Sequence, residues 1–200
     1  MVIAREVGNP YQEAYTLINL SAVAGMQGDA PAALEYARSG YDLCRAIGER
    51  SGEAWSLLNM GHAYLLCEEL EQAHAAYEQS LAIREEMRQP NLAAESLSGL
   101  TQIAMQHSDT ESLAKRIESI LAIVDGDNEL SGAEDPIRVY FTLHQALEKM
   151  KDPRSRAVLQ KAVQLLETQV SKFKDDTERL RYVENVPWRR ALQQAGRTLD

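Results

Sequence analysis

The side chains most able to ligate a metal or move a proton near neutral pH are the four histidines, at positions 62, 74, 107 and 144. His62 and His74 are not at the i, i+4 spacing that sets two imidazoles on one helix face, and no His-Glu-x-x-His occurs. Asp125-Gly126-Asp127-Asn128-Glu129 opens like a calcium loop. Its sixth position is Leu130, where the sharp turn needs glycine, and its twelfth is Pro136, where a bidentate Glu belongs. Cys44 and Cys67 form no Cys-x-x-Cys pair, and Cys44 has no histidine at nucleophile spacing. No G-x-x-x-x-G-K-[ST] or G-x-G-x-x-G phosphate loop is present. These patterns predict a chain that is not an enzyme, with no catalytic residue, no metal and no cofactor.

The elements that would position any site come from a repeat. Glu13-Ala14-Tyr15-Thr16-Leu17-Ile18-Asn19-Leu20-Ser21 lies over Glu53-Ala54-Trp55-Ser56-Leu57-Leu58-Asn59-Met60-Gly61 after a shift of 40. A second shift reaches Ala93-Ala94-Glu95-Ser96-Leu97-Ser98-Gly99-Leu100-Thr101. Each unit holds two helices. In the middle one, Leu57, Met60, Gly61 and Tyr64 mark the first, and Leu70, Ala73, Tyr77, Leu81 and Met87 mark the second. Asp29 is placed to cap a helix with Pro31 in its first turn, and Pro10, Pro90 and Pro136 stand at the starts of first helices. Asp152-Pro153 predicts a further start, with a helix running to about Phe173; Asp175-Asp176 predicts another, and Pro187 opens a short last helix to about Ala195.

Bulk properties narrow the function classes. The net charge of −9 falls wholly on residues 1–110, which carry 6 Lys/Arg against 15 Asp/Glu; this acidic half repels phosphate backbones. No stretch approaches the roughly 20 apolar residues of a membrane helix. The two cysteines read as small buried groups of a reducing compartment, so a cytoplasmic location is expected. In the tail, Arg179, Arg181, Arg189, Arg190 and Arg197 either meet an acidic partner or pair with Asp175, Asp176, Glu178 and Glu184 nearby.

Leu57-x2-Met60-Gly61-x2-Tyr64, then Ala73-x3-Tyr77, resembles the tetratricopeptide repeat pattern W-x2-L-G-x2-Y, A-x3-F, in a 40-residue variant without the terminal proline. That spacing favours this class over HEAT and armadillo arrays. The resemblance implies an all-α, right-handed superhelical solenoid of antiparallel helix pairs with C-terminal capping helices. Gly61 is expected to let paired helices approach, with Ala73 facing it and Tyr77 filling the gap to the next repeat. The expected division is residues 1–9 (tail of a preceding repeat), 10–49, 50–89, 90–131, a degenerate 132–173, and capping helices over 174–200. Residues 1–9 are assigned by Ile3, Val7 and Pro10, which fall in register with Ile83, Met87 and Pro90.

By the family pattern, first helices line a groove. Its positions here are Tyr15, Ile18, Asn19 and Ala22, then Trp55, Leu58, Asn59 and His62, then Glu95, Ser98, Gly99 and Gln102. No Lys or Arg occupies the positions that hold a peptide carboxylate in some family members. The mixture of aromatic, aliphatic and amide groups suits an extended or helical segment with apolar anchors. Tyr15 and Trp55 equally suit packing between helices. The chain also resembles the C-terminal repeat region of large bacterial STAND-type signalling ATPases, some of which carry an adenylate cyclase or a LuxR-type DNA-binding output domain. Arg181-Tyr182-Val183-Glu184-Asn185-Val186-Pro187-Trp188 and Ile137-Arg138-Val139-Tyr140 carry that likeness. It implies a sensor or regulatory scaffold whose partner is a protein, a peptide or another domain of the same parent chain, and neither nucleic acid nor membrane. A free-standing adaptor is the alternative.

Overall fold

The computed structural model describes residues 8–107, 109–126 and 130–199. Ile3 and Val7 lie outside the described residues, as do Asp127, Asn128 and Glu129 of the calcium-like stretch. The described residues hold ten α-helices and no strand. They divide into two compact units, Met1–Leu100 and Thr101–Asp200.

The first unit contains α1 (Pro10–Met26), α2 (Ala30–Ile47), α3 (Arg50–Leu66), α4 (Leu70–Glu86) and the start of α5 (Pro90–His107). Helix starts follow the side chains that can cap them. Asn9 accepts from the Gln12 N–H with Pro10 in the first turn, Asp29 accepts from the Ala32 N–H, and Glu49 accepts from the N–H groups of Ser51 and Gly52. The stops recur every twenty residues. Gly8, Gly28, Gly48, Glu68 and Arg88 have φ of 67°, 79°, 73°, 61° and 56°. At four of these turns the next N–H reaches back to the carbonyl of Ala24, Cys44, Tyr64 or Arg84, at 2.8–2.9 Å. A side chain in this left-handed conformation costs on the order of 1 kcal/mol, so the packing of flanking helices must hold Glu68 and Arg88 there.

That packing uses small residues. Ala37, Ala54 and Ala76 let α2, α3 and α4 approach, and Leu57, Met60 and Ile83 fill the space between them. Ala24, Ala33 and Ala63 do the same nearer the helix ends. Each fully buried Leu, Ile or Met contributes about 1.5–3 kcal/mol. Hydroxyls pin the helices further: Ser21 Oγ donates to the Ala33 carbonyl and Ser80 Oγ to the Ala54 carbonyl.

The second unit contains the end of α5, then α6 (Thr110–Val124), α7 (Pro136–Lys149), α8 (Ser155–Val170), α9 (Asp176–Glu184) and α10 (Pro187–Gly196). Asp109, Asp135 and Asp175 cap α6, α7 and α9. The start expected at Asp152-Pro153 moves to Ser155. The Asp152 carboxylate is taken by the Arg154 N–H and guanidinium, leaving Pro153 in the preceding turn. Helix α8 also stops at Val170, short of Phe173. Pro187 sits in the first turn of α10, while α9 ends at Glu184, so the residues between form the corner. No helix of the described residues is long and apolar enough to cross a membrane.

Candidate protein-interaction face

Tyr77 is fully buried on α4 between two glycines of first helices. A Cβ on Gly61 of α3 would lie 2.5–2.8 Å from the Tyr77 ring, and one on Gly99 of α5 would meet the same ring from its own helix. Gly61 therefore faces the Tyr77 ring. The Tyr77 hydroxyl lies 2.6 Å from His62 Nδ1, with the rings edge to face. One aromatic side chain thus fixes the spacing of two successive first helices.

Tyr15 and Trp55 hold the same register position on α1 and α3. Both rings are half-buried against Ala14, Ile18 and Cys44. Trp55 also covers a buried cation. The Arg84 guanidinium lies 4.6 Å from the Trp55 ring centroid and donates to Ser51 Oγ, the Ser51 carbonyl and Gln89 Oε1. Burial draws Arg84 below the ordinary arginine value, opposed by the negative charge of Glu95. Burial, then the hydrogen bond to Tyr11, push the Tyr15 phenol above its usual range. Burial also raises the Cys44 thiol to about 11, assisted by Glu49 and Glu53.

In the second unit, the end of α5, α7 and α10 enclose a cleft of about 330 Å³. Phe141 and Trp188 form its aromatic walls, Gln102, Gln106 and Gln145 supply amides, and Arg138 is the one charged side chain lining it among the described residues. Gln102 Nε2 donates to Thr142 Oγ1 at 3.1 Å, tying α5 to α7 at the floor. Trp188 is set by its neighbour. Arg189, 7% exposed, lies 4.0 Å from the Tyr182 ring centroid and 5.1 Å from that of Trp188, donates to the Tyr182 carbonyl, and pairs with Asp135 at 3.7 Å. Burial raises the Asp135 carboxyl above its usual range, with Arg189 opposing the shift.

Residues 12–86 match the tetratricopeptide repeat family. Two solved structures of TPR-like repeats assigned to a kinesin light chain of Podosopora anserina share the fold. One is 15% identical with a TM-score of 0.54, covering 92% of this chain and 93% of that one. The other is 16% identical with a TM-score of 0.56, covering 96% and 92%. No curated protein matches the chain. Tetratricopeptide-like helix pairs are a scaffold type, and their general role is to bind proteins or peptides.

Against that fold, the twelve groove positions separate by exposure. Asn19 is exposed, while Tyr15, Ala22, Trp55, His62 and Gln102 are half-buried. Ile18, Leu58, Asn59, Glu95, Ser98 and Gly99 are buried. Asn59 is occupied internally, because its amide donates to the Ile18 carbonyl at 3.0 Å. Sequence reasoning missed Arg84, Phe141 and Gln145. Arg84 follows Tyr77 by seven and Ser80 by four, on the buried stripe of α4. Counted from the first-turn prolines, Phe141 stands to Pro136 as Tyr15 stands to Pro10, and Gln145 corresponds to Asn19.

One contact pairs a serine with a histidine. His144 Nδ1 lies 2.9 Å from Ser155 Oγ, but that hydroxyl donates to Glu148 Oε1 at 2.7 Å. A nucleophilic serine gives its proton to the imidazole; here the proton points to the carboxylate. The set latches the start of α8 onto α7. In the tail, Arg179 pairs locally with Asp176 at 2.7 Å, whereas Arg189 turns inward to Asp135.

Proposed function

We propose that this chain is a protein-interaction scaffold serving as the sensor or regulatory repeat region of a larger bacterial signalling ATPase or transcriptional regulator in the cytoplasm. The observation that carries the binding reading is the cleft between α5, α7 and α10. Its aromatic walls and exposed amides suit an apolar anchor side chain and the main chain beside it. In the first unit, the half-buried Tyr15 holds on α1 the register position that Phe141 holds on α7. The parent-protein reading rests on the resemblance of the tail sequence to such arrays.

Gln106→Arg with Gln145→Arg tests the binding reading, because both side chains are exposed and line the cleft. The partner that co-purifies with the native protein is expected to be lost, with helix content and unfolding midpoint unchanged. Retention of the partner refutes the assignment. An immunoblot of source cells tests the parent: a band far above 22.4 kDa is expected, and a band at 22.4 kDa replaces it with a free-standing adaptor.

A further inference from the structure

Helix α10 packs on both α8 and α9, which make little contact with each other. Its approach to α8 is close: a Cβ on Gly196 would lie 2.9 Å from Val163 Cγ2. Between α8 and α9 this leaves an apolar hollow of about 550 Å³. Val163, Leu166 and Val170 line it from α8 at helical spacing, and Leu180 and Val183 line it from α9. Leu166 and Val183 are buried, but Leu180, 61% exposed, is the barest large apolar side chain among the described residues. Packed interiors hold few voids larger than a water molecule, and contiguous apolar surface of this kind marks a site of association.

Charge selects the occupant. Of the four charged side chains lining the hollow, Arg179 and Asp176 satisfy each other at 2.7 Å, and Arg179 Nε donates to the Phe173 carbonyl. Glu167 on α8 and Arg197 at the end of α10 have no ion-pair partner among the described residues. A partner segment of one sign would meet one of them as a like charge, whereas a second copy matches both. We infer that this face is an isologous interface between two copies of the chain. A two-fold turn seats each Leu180 in the hollow of the partner subunit and sets each Glu167 against Arg197 of the partner subunit. The cleft walled by Phe141 and Trp188 shares no lining residue with this hollow, so pairing of copies leaves the protein-binding cleft open.

Sedimentation equilibrium of the full chain over a dilution series tests the interface. Twice the monomer mass is expected at the concentrated end. Leu180→Glu, at an exposed position, is expected to give the monomer mass with unchanged circular dichroism. Glu167→Arg or Arg197→Glu alone should weaken the dimer by at least about tenfold, because each sets like charges together. The two combined should restore it to within about threefold of the native chain, since each pair is remade with its signs exchanged. A monomer at every concentration, or a dimer that survives Leu180→Glu, overturns the inference. A combined variant that pairs no more tightly than the single ones overturns it as well.

Discussion

Adding one methyl group at Gly61 or Gly99 probes the packing that sets the repeat. In a helix interior, Gly→Ala ordinarily stabilises by about 0.5–1 kcal/mol. Here the new Cβ of Gly61→Ala would sit 2.5 Å from Tyr77 Cε1. Carbon atoms prefer about 3.5–4.0 Å, so the ring must retreat by roughly 1 Å. Gly99 is equally tight against the same ring, and the Tyr77 hydroxyl is held by His62. Overpacking of this kind costs about 1–3 kcal/mol. With retreat blocked the upper value applies, giving a net loss of about 2 kcal/mol once the helix propensity is credited. In a Tyr77→Leu background the clash disappears, and Gly61→Ala should become stabilising by about 0.5–1 kcal/mol. The double-mutant cycle then shows a coupling of about 3 kcal/mol, read from urea unfolding followed by far-ultraviolet circular dichroism with unchanged m. A neutral or stabilising Gly61→Ala in the native background would refute the clamp.

Three further outcomes follow from named contacts. Trp55→Ala removes the half-buried ring that covers Arg84 and should cost about 2–3 kcal/mol, at the low end for a buried tryptophan; calorimetry that finds no loss of stability would make Trp55 a pure surface residue. Arg189→Ala should destabilise α9 and α10 by about 2–3 kcal/mol, and Arg189→Lys should not restore them, because only the planar guanidinium stacks on Tyr182. Hydrogen exchange over Asp176–Gly196 reads the loss, and full rescue by lysine would count against stacking. Cys44 is buried with its thiol raised to about 11, whereas Cys67 is exposed. At pH 8 the native chain should therefore show one fast thiol toward a disulfide reagent, the second reacting only on unfolding.

Much of this fold is local chemistry and was legible for that reason. Asp29, Pro10 and Pro136 announce helix starts because capping and a fixed φ act within one turn. The forty-residue shift shows that the same local pattern is built again, which identifies a helix-pair array. What stayed hidden depends on where side chains point between repeats. The pattern gives Tyr77 the gap to the next repeat, but not that its ring presses Gly61 of its own pair as well as Gly99 of the next first helix. Asn59 looked like a ligand-binding amide, yet its partner is a main-chain carbonyl of the preceding first helix. Arginine on a buried stripe is rare; Trp55 and Ser51 of α3 and Gln89 of the turn after α4 make Arg84 tolerable only once α3 packs on α4. Phe141 and Gln145 escaped because the connection before Pro136 is longer than its predecessors and shifts the forty-residue register.

The central claim is that the cleft between the end of α5, α7 and α10 is the protein-binding site. Hydrogen exchange of the native protein with and without its co-purified partner tests it directly. Added protection is predicted on α7, the end of α5 and α10, with α2, α4 and α8 unchanged. Protection confined to those second helices would contradict the account.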